Sequence, residues 1–260
     1  MKITAQMIVK NEENFVWYAI NSVLEHVDKI IIWDTGSTDK TVEIIKTINS
    51  PKISFEEKGS VNLQEFAKLR NEMVKITDAD WLFILDGDEV WSNDGLKEVI
   101  SLINKYGNSK DLIVSPVKML IGDIYHYQEE KAGRYKIKGK TGHLNIRVIR
   151  NFDGLHVKGY FGNEGYVDKN NIDVQSLPDE RIIFAKNSYL HASHLRRSPK
   201  VNPKYKYELG IAFPKDFYFP EVFFKKRPSI VPPPWKTMSK GYWLRAFLET
   251  PLKKIKRRLT

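Results

Sequence analysis

Four short apolar runs, each stopped by polar residues and separated by stretches with helical spacing, fill the first 90 residues and leave this chain little choice of fold. Ile3–Val9 reads as a buried strand, followed by a helix over 15–27 with Val16, Ile20, Val23, Leu24 and Val27 on one face. Strands follow at 29–33, 53–55 and 81–85, with helices from Asp39 to about Ile48 and, behind an Asn62 cap, over 63–76. A further helix is expected at 96–105 and a strand at 112–120. Such alternation with short connections predicts an α/β domain, a mostly parallel sheet with helices on both faces. Right-handed crossovers then bring the strands' carboxyl ends to one edge, where ligands of such sheets bind. Three polar segments fall at that edge: 10–13, 34–39 and 86–89. From 125 to 167 short alternating runs, such as Leu144, Ile146 and Val148, predict small antiparallel strands beside the main sheet.

Charge divides the chain again. Residues 195–260 hold 17 Lys/Arg against 4 Asp/Glu, a net +13, whereas the first 194 hold 25 against 28, a net −3. Nine of the twelve prolines also lie from Pro199 onward. The expected organisation is a body over 1–195, divided into halves at 1–120 and 121–195, with a basic, Pro- and aromatic-rich extension over 196–260. A basic tail on a near-neutral body predicts an anionic surface as partner. Cysteine is absent, which excludes disulfides and thiolate chemistry and fits a reducing compartment. The amino-terminal segment lacks the basic start and cleavage site of a signal peptide, so a cytoplasmic protein is expected.

Asp86-Gly87-Asp88 closes an apolar strand. Two carboxylates one residue apart can face one point, and a hard divalent cation such as Mg²⁺ or Mn²⁺ takes oxygen ligands while bridging substrate phosphates. The plain alternative is a polar turn. Asp34 stands where it can accept hydrogen bonds from a nucleobase or ribose, with Asp39 as the helix cap. Arg70 is by itself a solvated helix residue.

Taken together, MIVKNEE, WDTGSTDKT, AKLRNE and WLFILDGDE, in this order over residues 1–120, resemble glycosyltransferase family 2, the inverting enzymes of the Rossmann-like GT-A fold. The resemblance implies that Val9, Lys10, Asn11 and Asp34 hold the nucleoside of a UDP- or GDP-type sugar donor, and that Arg70, Asp86 and Gly87 approach the base or diphosphate. It also implies that Asp86 and Asp88 hold Mn²⁺ or Mg²⁺. Many members have Asp-Asp where this chain has Asp34-Thr35, which leaves the base open. RVIRNFDGLHVKGYFGNEGYV resembles the segment that supplies the catalytic base, which makes Glu164 the candidate and Asp153 its rival. His191, directly after Tyr189-Leu190, is the candidate third metal ligand.

At the carboxyl end Leu244, Leu248, Leu252, Ile255 and Leu259 fall on one helical face, flanked by Trp243 and Phe247, with Lys253, Lys254, Lys256, Arg257 and Arg258 opposite. This predicts an interfacial helix on an anionic membrane, peripheral at its inner face, beside a glycan or lipid-linked acceptor. The alternative is a terminal helix packed on the body. Two other functions fit parts of the chain. Residues 83–90 match the phosphatase motif of haloacid dehalogenase-like enzymes, with Asp86 as nucleophile and Asp88 as general acid, but that family carries it on its first strand. The aromatic and basic residues from Lys204 to Lys226 suit base stacking, but acidic loops repel phosphates and no nucleic-acid partner is expected.

Overall fold

A computed structural model describes residues 1–201 and 206–259. Strands β1 (Ile3–Val9), β2 (Lys29–Asp34), β3 (Ile53–Glu57) and β4 (Trp81–Ile84) pair in parallel in the order β3-β2-β1-β4. Every residue of β1 and β4 is buried, as a strand covered on both faces must be. The two-residue period sorts side chains between layers. Ile30 and Ile32 join the large core beneath α1 (Val16–Val23) and α2 (Thr41–Lys46). Ile31 and Trp33 join Phe66, Leu69 and Met73 of α3 (Phe66–Lys75) on the opposite face. Helices therefore cover both faces, as the alternation required. The third helix starts later than the sequence suggested, because the Asn62 Oδ1 accepts the Gln64 and Glu65 N–H groups at 3.0 and 2.9 Å and holds a turn there.

Beyond Asp86 come the short β5 (Glu89–Val90), α4 (Asn93–Tyr106), β6 (Leu112–Ile121), β7 (Asp123–Tyr127) and the hairpin β8 (Tyr135–Ile137)–β9 (Lys140–Gly142). The next strand, β10 (Leu144–Arg150), departs from expectation. It does not lie beside the sheet but runs antiparallel inside it, between β4 and β6. An open β4 edge in the core would leave unpaired backbone groups, and β10 satisfies them. The hairpin β11 (His156–Lys158)–β12 (Gly165–Val167) is the small antiparallel addition proper. β13 (Ile182–Phe184) and β14 (Tyr189–His194) then pair in parallel with successive parts of β6, and β15 (Ile211–Ala212) borders β7.

The extension folds back on the body. Val222, Phe223 and Val231 enter the main core, and Tyr18 donates its hydroxyl to Pro232 O at 2.8 Å. The chain ends in α5 (Lys240–Leu259), which continues through Pro251. Lys204 and Tyr205 of the aromatic-basic run lie outside the described residues, as does the side chain of Leu259. Among the described residues no helix is long and apolar enough to cross a membrane.

Candidate active site

A cleft of about 530 Å³ opens where β1, β2 and β4 end. Asn11 leaves β1 with a left-handed backbone, φ 56°, a conformation that Asn tolerates and that turns the chain across the edge. Its N–H donates to Ser37 Oγ and its Oδ1 accepts from Thr38 N–H, each at 2.8 Å, so the first two polar segments are tied together. Val9, Lys10 and Asn11 line one wall, and Arg70 and Asp86–Gly87–Asp88 line the cleft with them. Asp34 does not line it. Its carboxylate accepts the N–H groups of Gly36 and Ser37, both at 2.9 Å, and the Ser37 hydroxyl, so it shapes its own turn while Thr35 reaches the cleft. Asp39 accepts the Thr41 N–H at 2.9 Å at the start of α2.

Gly87 sits against the opposite loop. A Cβ there would lie 2.9 Å from Glu12 Cγ and 3.1 Å from Val9 Cγ2, so only glycine lets the acidic turn approach β1 this closely.

The acids of the floor are compensated by cations from α3, β10, β14 and the loop after β14. Asp86 meets Arg147 at 2.6 Å and Arg70 at 3.7 Å. Against desolvation, these guanidiniums hold Asp86 below the usual carboxylate range. Asp88, buried, meets His191 Nε2 at 3.3 Å and Arg197 at 3.6 Å, and these likewise outweigh burial and hold it low. Glu89, fully buried, is raised by burial and accepts from Arg147 Nε and the Tyr189 hydroxyl, both at 2.9 Å. Burial and the Asp88 charge push Glu12 well up, and Arg197, 2.5 Å away, opposes them. For His191 burial favours the neutral ring, but Asp88 and Glu89 prevail and raise its pKa to about 9. His194, three residues further along β14, is lowered to about 4 by burial and Lys206 and does not line the cleft.

β14 delivers His191 by register, since it pairs with Glu89 of β5. The candidate ligand atoms of Asp86, Glu89 and His191 lie within 4.8 Å of one another. Four buried atoms of residues lining this cleft lack a hydrogen-bond partner: Asp88 Oδ2, Glu12 Oε2, His191 Nδ1 and Arg70 Nη1. Such a donor set, oxygens with one imidazole and an unsatisfied carboxylate oxygen, fits a hard divalent cation. Of the two acids beside Asp86, Glu89 Oε1 is already taken by Arg147 and Tyr189, whereas Asp88 Oδ2 has no hydrogen-bond partner.

Glu164 precedes β12 and is half-buried, its Oε2 accepting the Gly162 N–H at 2.5 Å. It lines both this cleft and a second one of about 630 Å³, and Arg70 and Gly162 are shared with it. Asp153 is exposed on the turn before β11 and lines neither.

Three residues of the site carried no distinct signal. Arg147 is the bulged residue of β10, since the register slips between Ile146 and Val148, and bulges re-aim a side chain. Arg197 reads in sequence as the start of the basic tail. Asn71 exchanges two hydrogen bonds with Val157, 2.9 and 2.7 Å, which fixes the hairpin carrying Glu164 to α3.

A family model described as glycosyl transferase family 2 matches residues 4–156, more than half of the chain. The SPbeta prophage-derived glycosyltransferase SunS of Bacillus subtilis is 27% identical over 143 residues, 54% of this chain and 32% of that protein. An uncharacterized glycosyltransferase of Rickettsia felis is 33% identical over 151 residues, 58% of this chain and 50% of that one. The chain thus spans about a third to a half of these curated relatives. Among solved structures, S. aureus TarS 1–349 superimposes with a TM-score of 0.50 at 16% identity, covering 74% of this chain and 61% of that chain, which shows a shared fold. The same protein in complex with UDP also gives 0.50.

Proposed function

The chain belongs to glycosyltransferase family 2, and on that premise we propose that it moves a sugar from a nucleoside diphosphate to an acceptor hydroxyl with inversion, in cell-surface glycan or glycolipid synthesis. The observation that carries this reading is the position of Glu164 at the junction of two clefts. The cleft at the strand ends takes the donor, through Val9, Lys10, Asn11, Asp34's turn, Arg70, Asp86 and Gly87. A UDP-type donor is favoured over GDP, since the structural relative of shared fold is one solved with UDP. The second cleft takes the acceptor.

In the transfer, the Glu164 carboxylate accepts the proton of the acceptor hydroxyl while that oxygen attacks the anomeric carbon. The bond from that carbon to the diphosphate breaks on the opposite face, and the diphosphate leaves with the electron pair. Arg70 and Arg197 face the leaving group and stabilise its charge. Asp86, Asp88 and His191 would hold Mn²⁺ or Mg²⁺, which supplies Lewis-acid neutralisation of the diphosphate when bound. Arg147 holds Asp86 and Glu89 in place from behind. A glycan or lipid-linked acceptor resides at a membrane, so the enzyme is read as cytoplasmic and peripheral at the inner membrane face, with no nucleic-acid partner.

Glu164→Gln tests the assignment. The amide keeps the size and the hydrogen bond to Gly162 but cannot take a proton. Transfer from a UDP-sugar should slow by about 10²–10⁴-fold while UDP still raises the melting temperature as in the parent. Near-parental turnover would remove Glu164 from the role.

A further inference from the structure

α5 is fastened along one side. Tyr242, Ala246, Thr250, Lys253 and Arg257, spaced by four, four, three and four residues, face the body. Tyr242 donates its hydroxyl to Lys206 O at 2.6 Å, Thr250 Oγ1 accepts the Leu209 N–H at 2.8 Å, and Lys253 donates to Tyr207 O at 2.6 Å. Arg257 grips both oxygens of Glu208 at 2.6 Å and reaches Glu129 at 2.8 Å. The cations expected opposite the apolar stripe are therefore divided, and two of them, Lys253 and Arg257, are fasteners.

The outward side is apolar. Trp243, Leu244, Phe247, Leu248, Leu252 and Ile255 are each between 47% and 69% exposed, and Trp243 stacks on Phe247 with centroids 5.3 Å apart. Six large apolar side chains bare on one helix face mark an interaction surface. Lys240, Lys254, Lys256 and Arg258 are exposed along the same helix, whose only acid is Glu249. A second copy would set this cationic face against its like. An anionic bilayer answers both features, its acyl boundary taking the stripe and its headgroups the cations.

We infer that the outward face of α5 docks on an anionic lipid bilayer, with the helix lying in the plane of the interface and the body held to it through Arg257 and Lys253. This supplies the membrane contact of the proposed acceptor reading and rests on it for its purpose, while its measurement is independent of sugar transfer.

The experiment is flotation of the full chain with vesicles of phosphatidylcholine alone and of an equimolar phosphatidylglycerol–phosphatidylcholine mixture. Binding to the mixture and not to phosphatidylcholine is expected. Leu248→Glu with Leu252→Glu should abolish it. Lys240→Gln, Lys254→Gln and Arg258→Gln together should lower the partition coefficient about 100-fold at low salt, roughly fivefold per cation. Both sets leave the fastening residues and the donor cleft untouched, so their circular dichroism and the thermal shift with UDP should match the parent. Failure of the parent to bind the mixed vesicles, or unchanged binding by the Leu248→Glu, Leu252→Glu variant, would overturn the docking. A dimer in size-exclusion chromatography that this variant dissolves, with no vesicle binding, would assign the face to a second copy and overturn it too. Loss of the UDP response in the parent would instead strike the donor reading and leave the docking standing.

Discussion

His191 shows how one residue couples the fold to the chemistry. Its ring lies 3.3 Å from Asp88 and 3.7 Å from Glu89, and its pKa is raised to about 9. The unfolded imidazole titrates near about 6.5. The raised folded value makes the protonated ring a stabilising group whose contribution is complete below about 6.5 and is lost as pH rises through about 9. The stability difference between the protein and its His191→Gln variant, read by urea denaturation without added metal, should therefore shrink between those limits. A divalent cation held by His191 as proposed needs the neutral ring, so Mn²⁺ affinity of the parent should then climb over the same window, and the variant should lack that climb. A pH-independent difference would show that His191 is not the protonated partner of Asp88. Asp86, Asp88 and His191 were legible in sequence because each follows an apolar run that must be a strand. Arg147 and Arg197 were not, because a single arginine carries no period and its partner is fixed only when distant elements meet.

Among the elements, β1 to β4 and their helices follow from local periodicity, and the structure differs from it only at the ends, as at Asn62. β10 is different in kind. Its alternation is that of any half-buried strand, and nothing local says that it enters the sheet antiparallel between β4 and β6. Its bulge then sends Arg147 to Glu89, which is fully buried, and to Asp86. Removing one partner of a buried ion pair leaves the other charge uncompensated, at a cost of about 3–5 kcal/mol. Arg147→Met should lose that much in urea denaturation, and Glu89→Gln should return part of it in the double variant, since the two effects are not independent. Additive losses would mean that the strand is held by its apolar residues alone.

At the scale of the molecule, the extension read as an appendage is a strap returning to the body. Composition sets this stretch apart by charge and proline but does not say that Trp235 packs among Phe219, Phe223 and Tyr125, or that Arg197 reaches Glu12 and Asp88. The strap closes on Glu208, which is buried and contacted by Arg257 and Gln128. Burial alone would push this carboxyl up, but those bonds outweigh it and hold it below the usual range. A depressed value stabilises above the unfolded value, about 4.3, and the benefit is lost as pH falls through the folded value. α5 should therefore loosen in acid. Arg257→Ala removes the partner at neutral pH and strands the Glu208 charge, which eases opening of the helix by roughly 3 kcal/mol, about 100-fold in the open population. Trypsin should then cut near Lys254 far faster than in the parent. No described residue of α5 lines the donor cleft, so the thermal shift with UDP should persist in the variant. If cleavage stays at the parental rate, α5 is held by Tyr242, Ala246 and Thr250 without help from the ion pair.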